Sequence, residues 1–154
     1  MTCYQMVGVP GSGKSTWIAS QDWASSCVVV STDAYVERFA ARMRRTYSEV
    51  FDAVMPRAVR LMMRRVRWAQ ARGMDVIWDQ TSTSANSRAR KFRALPDYQH
   101  IAVVFRTPAW PELRRRLDGR PGKHIPRKIV KSMIHSFETP TEEEGFREIW
   151  YAQQ

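Results

Sequence analysis

Short apolar runs alternate along the chain with longer stretches whose apolar positions recur every three or four residues. The clearest helical stretch is 48–72, where Val54, Ala58, Met62, Val66 and Ala69 are spaced four, four, four and three apart. That is the period of one buried helix face. Pro56 falls inside the stretch and predicts a kink or a fresh helix start. Gly73 supplies a stop just beyond it. The apolar runs are short and rich in Val and Ile, the signature of buried strands. Residues 4–9 form the first, ended by Pro10 and Gly11. Residues 27–31, 74–78 and 101–105 read as three more, and 147–151 as an added edge strand. Between them, short helices are predicted at 15–20, from Thr32 with Asp33 near its cap, and from a Ser84 or Asn86 cap to Leu95. Two more are predicted from Pro111 to about 117 and over 126–137, with a polar, glycine-containing loop at 119–125. Strands alternating with helices predict an α/β fold, a mostly parallel sheet with helices on both faces. Ligands in such folds bind beyond the carboxyl ends of the strands.

Composition narrows this picture without changing it. The chain has 154 residues, 44% apolar and 26% charged, an ordinary balance for one globular domain over 1–154. Disordered, collagen-like and low-complexity classes are excluded. No apolar run approaches the roughly 18 residues of a membrane helix. The N-terminus has neither a basic region nor a long apolar one, so no secretion signal is expected. Cys3 and Cys27 make no disulfide framework and read as buried free thiols of a cytoplasmic protein.

Charge says more. Lys and Arg total 25 against 15 Asp and Glu, a net +10, and 20 of the 25 are arginine. From Arg38 to Lys131 there are 23 basic and 7 acidic residues. Such a field attracts polyanions, and arginine grips phosphates bidentately. DNA or RNA is therefore the expected macromolecular partner, with no membrane partner. Arg57, Arg60, Arg64 and Arg67 form a stripe on one helix face, which is either solvated surface or a nucleic-acid track. The six tryptophans mostly fall at core spacing, and no stacking platform is read from them.

Gly8-Val-Pro-Gly-Ser-Gly-Lys14-Ser15 satisfies G-x-x-x-x-G-K-[ST] in full. The loop's N–H groups point at a phosphate, Lys14 reaches the β/γ-phosphates, and the Ser15 hydroxyl ligates Mg²⁺. Gly8, Pro10, Gly11, Ser12, Gly13, Lys14, Ser15 and Thr16 are the predicted nucleotide-binding set, with ATP or another NTP as donor and Mg²⁺ as metal.

The carboxylates carry the reading further. Asp33 stands just past the second strand and Asp79 at the end of the third. If both strands adjoin the P-loop strand, both carboxylates point into one cleft. Asp33 is then placed to take a proton from an acceptor hydroxyl, although it could instead be only a helix cap. Asp79 is placed to orient a Mg²⁺-bound water or the acceptor. Arg116 and Arg120 flank the 119–125 loop and suit the charge spread over a transferring phosphoryl group. Arg114 and Arg115 read as solvated surface, His124 as incidental, and His100 and His135 carry no role.

Taken in order, these pieces resemble the 5′-hydroxyl kinase domain of the bacteriophage-type polynucleotide kinase family. The residues that carry the likeness are the P-loop through Trp17, Val-Ser-Thr-Asp33-Ala-Tyr at 30–35, Val-Ile-Trp-Asp79-Gln-Thr81 at 76–81, and Arg88 in the next helix. Arg116-Leu-Asp-Gly-Arg120, Lys123-His-Ile-Pro126 and the tail with Met133, Phe137-Glu-Thr-Pro and Glu144-Gly-Phe complete it. The likeness covers about 8–150. It implies a P-loop NTPase-type sheet sandwiched by helices, with a small arginine-bearing lid near 116–126. It also implies catalytic roles for Lys14, Asp33, Arg116 and Arg120, the two arginines acting on the donor. Acceptor binding would fall to Asp33, Asp79, Thr81 and Arg88, with the 5′-OH of DNA or RNA as acceptor. The chain departs from the family at Ala34 and Val36, where an acidic residue and a strand-contacting arginine are frequent. It has no Asp-x-Asp-Gly-Thr phosphatase motif, so no end-trimming is expected. A P-loop kinase for another hydroxyl (a nucleoside, a small metabolite or a hydroxymethylated base) and a non-catalytic NTP-binding nucleic-acid module are the alternatives.

Overall fold

The computed structural model describes residues 1–152. Five strands form one all-parallel sheet: β1 (Thr2–Val7), β2 (Val28–Val30), β3 (Val76–Trp78), β4 (Gln99–Val104) and β5 (Glu148–Tyr151), in the order β2-β3-β1-β4-β5. The helices are α1 (Lys14–Ala19), α2 (Thr32–Met43), α3 (Tyr47–Ala71), α4 (Ala85–Ala94), α5 (Trp110–Asp118) and α6 (Arg127–His135), with 3₁₀ turns at Asp22–Ser26 and Glu142–Glu144.

The strand pleat sends alternate residues of β1 to opposite faces. Cys3 joins Val66, Ala69, Val76 and Leu95 on the side of α3 and α4, and Val7 joins Ala102, Val104 and Phe146. Met6 joins Ile18, Ile77, Val103 and Phe105 on the side of α1. A further cluster, Val9 with Leu113 and Val130, seats α5 and α6 against the start of the P-loop. This is the predicted α/β arrangement, with the strands' carboxyl ends free to carry a site.

Several expectations are corrected. Helix α3 runs unbroken past Pro56 from Tyr47 to Ala71. Pro56 is exposed, and the buried Val50, Val54 and Ala58 pack against Val36 and Ala40 of α2, which holds the helix on both sides of the missing N–H. The helix start is set at Thr46, whose side chain and backbone exchange hydrogen bonds with Glu49 in a capping box, a T-x-x-E signal legible in the sequence. Strand β2 pairs with β3 and lies at the sheet edge, not beside β1; of the two, β3 alone adjoins the P-loop strand, whose other neighbour is β4. Asp33 is not the α2 cap: that position is Ser31. Helix α6 ends at His135, two residues before Phe137. Cys3 is buried as expected, but Cys27 is only partly so. No helix among the described residues is long and apolar enough to cross a membrane.

Candidate active site

The P-loop spans the turn from β1 to α1. Gly11 (φ +82°) and Gly13 (φ +92°) adopt left-handed backbone conformations, which other residues reach only with strain. At Gly11 a Cβ would also stand 2.8 Å from Leu113 Cδ1 of α5. The Gly8 N–H donates to the Thr81 carbonyl at 2.8 Å, tying the loop to the segment after β3. Pro10 and Ser12 are buried beneath the loop, whereas Ser15 and Thr16 are exposed at the start of α1.

Lys14 is buried. Its ammonium donates to the carbonyls of Gly8 and Val9, both at 2.9 Å. Burial is the largest influence on it and pulls its pKa down to about 8, against the opposing attraction of Asp79 and Asp33. The Ser15 hydroxyl donates to Asp79 Oδ2 at 3.1 Å. Burial pushes the Asp79 carboxyl up, while Lys14 and the Ser15 hydrogen bond pull it back. Ser15 and Asp79 are thus two oxygen donors in contact beside the phosphate loop. No group of three or more His, Cys, Asp or Glu side chains suited to a metal occurs among the described residues. This donor set fits Mg²⁺, which takes one or two protein oxygens and fills its octahedron with water and nucleotide phosphates.

Asp33 lies in the first turn of α2 with a half-exposed side chain. Its Oδ1 accepts the Tyr47 hydroxyl at 2.8 Å and its Oδ2 accepts Lys123 Nζ at 2.6 Å. Burial and the neighbouring Asp33 charge push the Tyr47 phenol well above its ordinary range, so it stays a donor. Sequence reading assigned no role to Tyr47, and Lys123 entered it only as part of a family motif. The available signals were the helix start at Thr46 and the lysine inside the 119–125 loop, but their meeting at Asp33 depends on the α2–α3 hairpin.

Arg116 is on the last turn of α5, bonded to Glu112 Oε1 (2.7 Å) and to the Gly11 carbonyl (3.2 Å). Arg120 follows the helix. Both line a cavity of about 500 Å³ with Gly11, Gly13, Trp17 and Phe105. Trp17 packs against the core at Ile18 and Phe105, as its spacing suggested, and also borders the P-loop cavity. Arg114 and Arg115 are exposed and paired with Asp118 and Glu112, as expected of solvated helix surface.

The structure does not bring Arg88 to this site. It is fully buried, paired bidentately with Glu144 (2.8 and 2.7 Å) and bonded to the carbonyls of Ser82 and Glu138. Four of its five N–H donors are spent on these interior partners, and the residue fastens the segment before β5 to α4. Removing one partner of a buried ion pair strands the other. Arg88→Ala is therefore expected to cost about 3–5 kcal/mol of folding stability, measured by urea unfolding.

Solved structures share this fold. A candidate kinase from Chloroflexus aurantiacus j-10-fl superposes with a TM-score of 0.68 at 14% identity, covering 98% of this chain and 84% of that one. Chaetomium thermophilum Kti12, solved in complex with ADP-AlF3, gives 0.57 at 16% identity over 97% and 88%. A gluconokinase from Sinorhizobium meliloti 1021 gives 0.57 at 18% identity over 99% and 84%. At these identities the likeness is one of fold, a P-loop kinase-type α/β sheet. The sequence itself adds the family: residues 4–140, from β1 through α6, match the AAA domain, and the chain belongs to that family.

Proposed function

We propose that the protein transfers the γ-phosphate of ATP to a hydroxyl group, and that this hydroxyl is the 5′-OH of a DNA or RNA strand. The observation that carries the transfer reading is a carboxylate held for proton removal beside a phosphate loop. Asp33 is gripped by Tyr47 and Lys123, and the charges of Asp79, Arg120, Asp33 and Lys123 all reach Lys14 of the loop. The acceptor O–H gives its proton to Asp33 as its oxygen bonds to the γ-phosphorus. The bond from that phosphorus to the β–γ bridging oxygen breaks, and ADP leaves with the electron pair. Lys14, Arg116 and Arg120 offset the charge spread over the phosphoryl oxygens. Ser15 and Asp79 would hold Mg²⁺, which would supply further neutralisation of the phosphates.

Polynucleotide as acceptor is supported by the motif likeness and by charge. Arg57, Arg60, Arg64 and Arg67 are exposed on α3, and none is in an ion pair among the described residues. A second reading, a small-molecule hydroxyl, is favoured by Val36: it stands where a strand-contacting arginine is frequent and is fully buried.

The test is label transfer from γ-labelled ATP to a 5′-OH oligonucleotide, free nucleosides, small sugar acids and base-modified DNA, side by side. Transfer to the oligonucleotide is expected, with log K for binding falling by about 0.7 per tenfold rise in salt for each phosphate contacted on a single strand. Turnover of an uncharged nucleoside with a flat salt response would select the second reading. ATP hydrolysis without transfer to any hydroxyl would select a nucleotide-binding module.

A further inference from the structure

The connection between α5 and α6 is fastened to the start of α3. The Ser48 N–H donates to the Gly122 carbonyl at 3.1 Å. The His124 N–H donates to Ser48 Oγ at 2.8 Å, and that hydroxyl lies 3.3 Å from the His124 carbonyl. Gly122 has φ +67°, and a Cβ there would meet Thr46 Cβ at 3.0 Å, so the docking requires glycine twice over.

This docking delivers one side chain inward. Lys123 Nζ lies 2.6 Å from Asp33 Oδ2, 3.3 Å from Glu37 Oε1 and 4.2 Å from the Tyr47 ring centre. Its side chain is only 12% exposed, unusual for a lysine in a loop. The same segment follows directly on Arg116 and Arg120 at the P-loop cavity.

We propose that Lys123 is a positioning residue for Asp33: docking of the α5–α6 connection sets two arginines against the donor side and one lysine against the base, so both halves of the site are assembled together. This rests on the reading of Asp33 as the base. With Oδ1 held by Tyr47 and Oδ2 by Lys123, the carboxylate has one orientation, and each oxygen keeps a lone pair for the acceptor hydroxyl. Without Lys123 one oxygen is released and the carboxylate is free to turn away from the acceptor.

The experiment is a double-mutant cycle read in kcat and KM. Lys123→Met is expected to lower kcat by roughly 10- to 100-fold, the scale of a misplaced catalytic group. The KM for ATP should stay within about threefold, because the P-loop is untouched, and Lys123→Arg should recover part of kcat because it keeps the charge. In an Asp33→Asn background, Lys123→Met should cost no more than about twofold, since its effect runs through a base already removed. An equal cost in both backgrounds, or an unchanged kcat in Lys123→Met, overturns the proposal and leaves Lys123 a loop fastener. Asp33→Asn at near-parental rate would instead sink the base reading itself. Lys123→Gln is carried through the same cycle, so that a folding failure of the Met variant still leaves a decision.

Discussion

Asp33→Asn is expected to abolish most turnover, by ~10²–10⁴-fold, the usual contribution of a positioned general base. Nucleotide affinity should barely change, because Lys14, Ser15 and the loop N–H groups are untouched. Stability should change little as well. Asn keeps the size of Asp and an oxygen for the Tyr47 hydroxyl, and the ion pair it loses involves a half-exposed carboxylate, where pairing contributes little. The sequence left open that Asp33 is only a helix cap. In the structure Ser31 holds that position, and Asp33 accepts hydrogen bonds from Tyr47 and Lys123, neither of them in the first turn of its own helix. A capping role predicts a near-normal rate for Asn, which caps about as well as Asp. Steady-state transfer of labelled phosphate to a 5′-OH oligonucleotide, with ADP titration alongside, separates the two. A variant within a few-fold of the parent removes Asp33 from the chemistry and makes Asp79 the next carboxylate to test.

Lys14→Ala is expected to eliminate transfer altogether. The donor phosphates lose the cation nearest them, and the carbonyls of Gly8 and Val9 lose the donor that now bridges them. A pH dependence goes with this. Lys14 titrates near 8 in the free protein because burial disfavours its charge. The charged form, which the nucleotide needs, predominates below that pH. Bound phosphates raise the pKa of the lysine, so binding takes up a proton. ATP affinity is therefore expected to fall as pH rises through 8, and Lys14→Ala should lack that fall. Calorimetric titration in buffers of different ionisation enthalpy would detect the proton. A folded, fully active Lys14→Ala would remove the P-loop lysine from the mechanism.

Much of the fold was legible because it depends on local pattern. The β-branched and aromatic runs Val28–Val30 and Val76–Trp78 became strands because their side chains suit a buried pleated surface. The four-residue apolar period of α3 became a helix because it buries one continuous face. Pro56 begins no fresh helix, because Val50, Val54 and Ala58 pack against α2 on both sides of it, a contact that propensity cannot count. Arg88 was misread because a lone arginine on a basic helix gives no sign that Glu144, 56 residues away, will meet it in the interior.

By itself the sequence determined an alternating α/β chain, a phosphate-binding loop after its first strand, and a strong arginine-led positive charge. Those are properties of residue order and of backbone chemistry at single turns. Tertiary structure alone decided the sheet order, which puts β3 rather than β2 beside the loop and so brings Asp79 onto Ser15. It alone decided which side chains hold Asp33. Tyr47 comes from 14 residues away and Lys123 from 90, and contacts at such separations arise only when packing of distant elements closes the chain on itself.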